Sequence, residues 1–264
     1  MTVEYGIIFD CDGVLADTEK FGHLPAFNLA FTQLELPVQW TVEEYAILLE
    51  IGGGKERLKS LFTENGYLAK SSWNESEDSR NNLIAKLHTQ KTKNYVEIVE
   101  KGEVPARPGV KRLVSEAVQK GWKLGVASTS AEVSVKAILN HVLGAELSSK
   151  FSVFAGDVVA KKKPAPDIYQ LAISQGGFDV TRTIAIEDSG IGCRSAISAG
   201  LGCLVTISTF TAQDDFNGAA LVVSSLGDPG KEASKIFNND AKIELEDSVN
   251  TETIEQLINS NWRN

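Results

Sequence analysis

The sequence predicts an α/β protein in which helices cover both faces of a parallel sheet and a small all-helical domain is inserted after the first strand. Three observations support this class. Short apolar runs alternate with helical patterns from about residue 105 to residue 225. Residues 17–100 carry helical patterns only, and the 264 residues suffice for one large domain or two modest ones.

The strands are predicted from six short runs that are rich in apolar and β-branched residues. The first is VEYGIIFD at 3–10, and the others are WKLGVAS at 122–128, FSVFAG at 151–156, TIAIED at 183–188, GCLVTIS at 202–208 and AALVVSS at 219–225. The clearest helix is at 110–118, where apolar residues recur at the spacing of a core-facing stripe: Val110, Leu113, Val114, Ala117 and Val118. Strands that alternate with such helices form a parallel sheet.

The inserted domain is predicted from a helical stripe and three further helical segments. Its stripe contains Leu24, Phe27, Phe31 and Leu34, and Pro25 predicts that this helix starts or kinks there. The other helices are expected at 42–49, 55–64 and 80–100. We therefore assign 17–100 to a helical cap, and 1–16 with 101–264 to a discontinuous core. Within the core, 227–264 is acidic and expected to be partly mobile, with a last helix near 251–260.

Composition and charge exclude several classes of protein. The chain has 26 Lys+Arg against 35 Asp+Glu, and a net charge of −9 repels nucleic-acid phosphates. No apolar stretch approaches the roughly 18 residues that a membrane span needs. The three cysteines form no CxxC pair, which fits a reducing compartment, and no basic-then-apolar leader precedes the first strand. We expect a cytoplasmic monomer that binds neither nucleic acid nor membrane.

Chemistry-bearing residues follow the predicted strands, where ligands of open parallel sheets bind. Asp10 and Asp12 end the first strand, Ser128, Thr129 and Ser130 end the second, three lysines at 161–163 follow the third, and Glu187–Asp188 end the fourth. Four desolvated carboxylates repel one another, so a divalent cation is expected, and oxygen ligands suit Mg²⁺. A carboxylate beside such a cation, with lysine and hydroxyl donors, suits phosphoryl transfer through an aspartyl-phosphate.

Each of these features also has an ordinary structural interpretation. A strand-end Asp is often a turn former, Glu187–Asp188 followed by Ser189 could cap a helix, and a lysine run is commonly a solvated face. Their joint occurrence at successive strand ends favours the functional interpretation. Cys11, between the two aspartates, should point into the core. The glycine patterns GGGKER at 52–57 and SGIGCRS at 189–195 lack residues that a P-loop or a dinucleotide fingerprint requires.

Four segments match, in order, the four motifs of the haloacid dehalogenase-like hydrolase superfamily: FDCDGVLADTE at 9–19, ASTS at 127–130, KKKPAPDIY at 161–169 and IEDSGIG at 186–192. The chain further resembles the CbbY group, including its plant chloroplast members, through EKFGH, GGGKER, LHTQK, ARPG and VFAGDVV. The resemblance implies a Rossmann-like core with a small α-helical cap. It also implies phosphatase activity on xylulose-1,5-bisphosphate, a by-product of a Rubisco side reaction that inhibits Rubisco.

The resemblance also implies roles for core residues. Asp10 would be the nucleophile, and Asp12 the general acid and then the general base. Ser128 and Lys163 would hold the transferring phosphoryl group. The Mg²⁺ ligands would be Asp10, the backbone carbonyl of Asp12, and Asp188, with Glu187 supporting directly or through water.

The cap would select the substrate, a small phosphorylated sugar. Glu19 and His23 would face the sugar hydroxyls, and Lys55 or Arg57, with the backbone of Gly54, would face a second phosphate. His88 and Lys91 are further candidates, as are the hydroxyls of Thr129 and Ser130 in the core.

Several alternatives remain open. A β-phosphoglucomutase-like mutase or a broad sugar-phosphate phosphatase would share the core motifs and differ in the cap. A phospho-accepting signalling domain would lack the inserted helices and the second aspartate, and a true dehalogenase would not need Asp12. A processed plastid enzyme, located in the chloroplast stroma, would have the same sequence features as a bacterial or cyanobacterial cytoplasmic one.

Overall fold

The computed structural model describes residues 4–260 and divides the chain into two compact units. One unit comprises Met1–Asp17 with Pro105–Asn264, and the other comprises Thr18–Val104. The predicted boundaries at 17–100 differ from these by one and four residues, because the outgoing and returning linkers pair with each other. Asp17 N–H donates to the Pro105 carbonyl at 2.9 Å. The predicted limits at residues 1 and 264, and Val3 of the first predicted strand, lie outside the described residues.

The core unit contains a seven-stranded sheet of order β3-β2-β1-β4-β5-β6-β7 within the described chain. All six predicted strands are confirmed: β1 Gly6–Phe9, β2 Lys123–Ser128, β3 Phe151–Ala155, β4 Thr183–Glu187, β5 Gly202–Thr206 and β6 Leu221–Val223. They pair in parallel, and five of them are buried along almost their whole length. The seventh strand, β7 Ile236–Asn238, is antiparallel to β6 and was not predicted, because all three of its residues are exposed.

The inserted unit is helical, as expected. Its helices are α1 Leu24–Gln33, α2 Val42–Leu48, α3 Gly54–Lys59 and α4 Glu77–Glu100, with a π-helical segment at Glu19–His23 and 3-10 turns at Ser60–Phe62 and Ser72–Asn74. Pro25 lies in the first turn of α1, where proline is tolerated because its missing N–H would have no partner within the α-helix. It therefore marks the change from the π-helical segment Glu19–His23 to α1, which starts at Leu24. Phe27, Phe31, Trp40 and Tyr45 pack together as an aromatic core, in which Phe27 stacks on Phe31 and the other ring pairs are tilted or edge-to-face.

Within residues 4–260 the core unit contains six α-helices and a 3-10 turn at Val180–Arg182. The α-helices are α5 Val110–Gln119, α6 Glu132–Leu143, α7 Ala145–Ser148, α8 Asp167–Gly176, α9 Gly190–Ser198 and α10 Thr251–Asn259. The first confirms the predicted helix at 110–118, with four of its five stripe residues buried. Gly109, in the left-handed region at φ 81°, starts this helix. Cys11 is buried, as expected.

The C-terminal segment packs on the core through its last helix. In the described part of this segment Val249, Ile254 and Leu257 are fully buried, and the partial mobility expected of 227–264 stays a prediction. Arg112 of α5 donates to the carbonyls of residues 226, 227 and 249 at 2.8 to 3.0 Å. The last helix predicted near 251–260 is confirmed as α10, a short amphipathic helix that packs on the core.

Candidate active site

The candidate site lies at the carboxyl ends of three adjacent strands. Asp10 directly follows β1, Ser128 ends β2 and Glu187 ends β4, and β1 lies between the other two in the sheet. Lys163 comes from the loop between β3 and α8. Because parallel strands share their carboxyl edge, these residues meet despite separations of 24 to 153 positions in the chain.

Lys163 is the centre of the buried contacts. Its Nζ donates to Asp10 Oδ1 at 2.6 Å, to Glu187 Oε1 at 2.7 Å and to the Ala127 carbonyl at 2.9 Å. The three ammonium protons are thereby directed at three acceptors. Of the three consecutive lysines, Lys161 is exposed and Lys162 pairs with Asp157 at 3.2 Å, so only Lys163 enters the site.

The electrostatics of the site are set by burial and by crowding of like charges. Burial raises the pKa of Asp10 to about 8; Lys163 opposes this shift, and Glu187 and Asp12 add to it. Burial by itself would lower the pKa of Lys163, but Asp10 and Glu187 outweigh it, so the pKa is raised and the ammonium stays charged. One buried lysine therefore faces more carboxylate charge than it can balance.

An acidic group beside Lys163 has the composition of a metal site. Asp10, Glu187 and Asp188 are all buried, and each offers a carboxylate oxygen within 4.8 Å of the others. Such an all-oxygen set fits a hard divalent cation, which would offset the excess negative charge. Gly13 keeps the space open: it has φ +76°, and a Cβ there would overlap the carboxylate of Asp188.

The side chains of Asp12 and Glu187, both predicted to take part in metal binding, make different contacts. The side chain of Asp12 is not part of the acidic group in the described chain; its Oδ2 accepts a hydrogen bond from Ser130 Oγ at 2.5 Å. The metal role expected of Asp12 belongs to its backbone carbonyl and stays a prediction. Glu187 is part of the group, but its Oε1 already accepts from Lys163 and from Tyr169 Oη.

The hydroxyl residues after β2 form a short network. Ser128 is buried, and its Oγ accepts from the backbone N–H of Ser130 at 3.1 Å. Ser130 in turn donates to Asp12, so this turn orients the second aspartate. Thr129, between them, is partly exposed.

Tyr169 is a member of the site to which sequence reasoning assigned no role. It is fully buried in α8, and its Oη donates to Glu187 Oε1 at 2.5 Å. The signal was present, because a tyrosine on the apolar face of a helix needs a partner for its hydroxyl. The sequence could not identify that partner 18 residues away.

In the inserted unit, three residues form a second buried polar cluster. Tyr45 Oη donates to Glu19 Oε2 at 2.6 Å and accepts from Arg57 Nη1 at 2.9 Å, and Arg57 pairs with Glu19 at 3.5 Å. Arg57 Nε also donates to the Ile51 carbonyl. Arg57 therefore has a carboxylate partner, and its predicted role towards a second phosphate, like that of partly exposed Lys55, stays a prediction. Tyr45 was missed by the sequence analysis.

The remaining predicted cap residues lie in two places. Buried Lys91 Nζ is 2.7 Å from His23 Nδ1, and the His23 ring stacks on Tyr95 at a centroid distance of 4.2 Å. Gly54 adjoins His88, since a Cβ on this glycine would lie 3.6 Å from the His88 ring. The structure thus brings Glu19 to Arg57, His23 to Lys91, and Gly54 to His88.

Helices of membrane-spanning length and hydropathy are absent from residues 4–260.

Comparisons with known proteins agree with this fold. The model of the family described as haloacid dehalogenase-like hydrolase matches residues 6–200. The chain therefore belongs to the haloacid dehalogenase-like hydrolases, and it is an enzyme of the phosphatase type.

Its similarity extends to the CbbY proteins within that family. A CBBY-like protein of Arabidopsis thaliana is 46% identical over 88% of this chain and 72% of the relative. Protein CbbY of Cupriavidus necator is 40% identical over 85% of this chain and 87% of the relative. A crystal structure of a CbbY mutant from Rhodobacter sphaeroides, in complex with xylulose-(1,5)bisphosphate, has a TM-score of 0.75 and 37% identity, covering 84% of this chain and 95% of that one.

Proposed function

We propose that this enzyme is a Mg²⁺-dependent sugar-phosphate phosphatase that dephosphorylates xylulose-1,5-bisphosphate through an aspartyl-phosphate on Asp10. The observation that carries the proposal is the 2.6 Å contact between Lys163 Nζ and Asp10 Oδ1, beside the acidic group of Asp10, Glu187 and Asp188. A buried carboxylate next to a fixed ammonium and a cation site is suited to attack a phosphoryl group.

In the first step, an oxygen of Asp10 attacks phosphorus, and the bond between phosphorus and the sugar oxygen breaks. Asp12 gives a proton to the departing oxygen, which would otherwise leave as a poor alkoxide leaving group. Lys163 and Ser128 hold the transferring group. Bound Mg²⁺, held by Asp10, Asp188, the Asp12 carbonyl and, directly or through water, Glu187, would neutralise charge on the phosphoryl oxygens.

In the second step, water attacks the aspartyl-phosphate and releases inorganic phosphate. Asp12, now deprotonated, takes the proton of that water and returns to its starting state. The Ser130 hydroxyl, which donates to Asp12 Oδ2 at 2.5 Å, keeps this carboxylate oriented in both steps.

The substrate assignment is supported by similarity and by the inserted unit. The Rhodobacter sphaeroides CbbY described above is 37% identical and was crystallised with xylulose-(1,5)bisphosphate. In this chain we assign the distal phosphate to Lys55 and the backbone at Gly54, and the sugar hydroxyls to Glu19 and His23. His88, Lys91, Thr129 and Ser130 remain further candidates for substrate contacts. Dephosphorylation of xylulose-1,5-bisphosphate would remove an inhibitor of Rubisco.

A phosphate-release panel with Mg²⁺ tests this assignment. It compares xylulose-1,5-bisphosphate with ribulose-1,5-bisphosphate, fructose-1,6-bisphosphate, β-glucose 1-phosphate and phosphoglycolate. We expect kcat/KM for xylulose-1,5-bisphosphate to exceed that for the two monophosphates by about tenfold or more, as one lost charged contact would produce. It should also exceed kcat/KM for the two other bisphosphates, which present their sugar hydroxyls to Glu19 and His23 in a different arrangement. Conversion of β-glucose 1-phosphate to glucose 6-phosphate without phosphate release would instead establish a mutase.

Location and assembly remain proposals. CbbY relatives are found in bacteria and in a plant, which agrees with either the bacterial cytoplasm or the chloroplast stroma. We retain the expectation of a monomer.

A further inference from the structure

Tyr169 is fully buried in α8, one contact away from the lysine of the site. Its Oη donates to Glu187 Oε1 at 2.5 Å, and the same oxygen accepts from Lys163 Nζ at 2.7 Å. Lys163 Nζ also lies over the Tyr169 ring, 5.1 Å from its centroid. The tyrosine therefore touches both members of the ion pair behind Asp10.

The contacts form one continuous chain from Tyr169 through Glu187 and Lys163 to Asp10. Glu187 is 1% exposed, so water cannot replace a donor that is lost from its carboxylate. The backbone of Gly192 closes the other side, since a Cβ there would overlap both carboxylate oxygens. The orientation of Glu187 is thus set by two donors, Tyr169 and Lys163.

We propose that Tyr169 is a positioning residue for phosphoryl transfer, acting through Glu187 to fix Lys163 on Asp10. With the tyrosine hydroxyl in place, Glu187 Oε1 is shared, and the ammonium is drawn towards both carboxylates. Without the hydroxyl, the buried carboxylate has one donor left and draws Lys163 towards itself, away from Asp10 and the transferring group. This inference rests on the proposed role of Asp10 as nucleophile.

The variant Tyr169→Phe tests the inference because it keeps the ring and removes only the hydroxyl. With p-nitrophenyl phosphate as substrate, we expect kcat to fall about tenfold, the size typical of a lost charged hydrogen bond, and KM to change less than about twofold. The matched control is Tyr5→Phe, which also removes only a tyrosine hydroxyl. Tyr5 directly precedes β1, at the sheet edge opposite the site, and its hydroxyl accepts a hydrogen bond from Asn259 at 3.3 Å. Its kcat should equal that of the wild type.

A double-mutant cycle separates positioning from simple stabilisation. If Tyr169 acts through Glu187, adding Tyr169→Phe to Glu187→Gln should lower kcat less than about twofold further. Equal losses in both backgrounds would overturn the proposal. So would a Tyr169→Phe variant that keeps more than half of the wild-type kcat.

The variant Asp10→Asn, run in parallel, distinguishes failure of this inference from failure of the proposed function. If Asp10→Asn retains a tenth or more of the activity, Asp10 is not the nucleophile and the proposed mechanism itself is wrong. If Asp10→Asn is inactive and Tyr169→Phe matches the wild type, only the positioning role is wrong.

Discussion

Single residues define what the site can do, and Asp12 shows this most clearly. It follows Asp10 by two positions, yet its carboxylate accepts a hydrogen bond from the Ser130 hydroxyl, whereas the Asp10 carboxylate accepts from the Lys163 ammonium. Two neighbouring carboxylates thus occupy different environments. One is suited to attack phosphorus, and the other to transfer a proton.

We predict that Asp12→Ala separates these two roles. Loss of general acid catalysis should lower the first-step rate about 10²- to 10⁴-fold for a sugar phosphate, whose alkoxide leaves poorly. The loss should be much smaller for p-nitrophenyl phosphate, whose leaving group needs no proton. Single-turnover assays measure the first step directly, and equal losses for the two substrates would contradict the assignment.

Gly13 gives a prediction about metal binding. In Gly13→Ala, the methyl group would overlap the Asp188 carboxylate, and φ +76° would cost about 1–2 kcal/mol more. We expect a higher Mg²⁺ concentration for half-maximal activity and weaker Mg²⁺ binding by calorimetry. Gly121→Ala, at φ +71° with open space around its Cβ position, is the control: it should lose stability but keep its Mg²⁺ affinity.

At the scale of elements, the inserted unit depends on the cluster of Glu19, Tyr45 and Arg57. Removing Arg57 would take away the guanidinium that pairs with partly buried Glu19 and donates to buried Tyr45, so its loss would affect stability as well as binding. Lys55 on the same helix, α3, is partly exposed and offers the cleaner test of the distal phosphate site.

We predict that Lys55→Ala lowers kcat/KM for xylulose-1,5-bisphosphate about ten- to a hundredfold, the size of one lost charged hydrogen bond. Activity on p-nitrophenyl phosphate, which has no second phosphate, should change little. The control Lys59→Ala removes an exposed lysine from the same helix and should behave as wild type. Normal hydrolysis of the bisphosphate by Lys55→Ala would refute the assignment of this lysine.

The C-terminal segment gives a prediction about stability alone. Arg112 of α5 donates hydrogen bonds to the backbone carbonyls of residues 226, 227 and 249, and these bonds hold the segment against α5. Arg112 also pairs with Glu116 at 2.8 Å. We expect Arg112→Met to lower the free energy of unfolding by roughly 2–3 kcal/mol. Urea denaturation measures this free energy. The control variant Lys111→Met replaces the exposed lysine next to Arg112, and its free energy of unfolding should be close to that of the wild type. An Arg112→Met variant as stable as wild type would show that these bonds are dispensable.

Elements could be predicted from the sequence where their burial produces a recognisable pattern of apolar residues. Five of the six predicted strands are almost wholly buried and therefore form continuous apolar runs, whereas β7 has exposed Ile236 and Phe237 within an acidic segment and leaves no such pattern. Strand-end positions likewise predicted Asp10, Lys163 and Asp188. The link from Glu19 to Arg57 spans 38 residues and depends on how the helices pack, which local sequence does not encode.

For the whole molecule, we propose that phosphoryl transfer occurs at one edge of the parallel sheet and that the inserted unit supplies selectivity. The charge distribution agrees with this division. The core site concentrates carboxylates around one buried lysine, where a cation would offset the negative charge, whereas the inserted unit carries the lysine that we assign to the second phosphate.

The most direct test of the central claim is to locate the phosphoryl group during turnover. Asp12→Ala enzyme is mixed with Mg²⁺ and p-nitrophenyl phosphate, quenched in acid, digested and analysed by mass spectrometry. The account predicts that the peptide containing Asp10 carries one phosphoryl group, and that hydroxylamine removes it as it does an acyl phosphate. A phosphoryl group on another residue, or a burst of nitrophenol with an unmodified Asp10 peptide, would contradict the account.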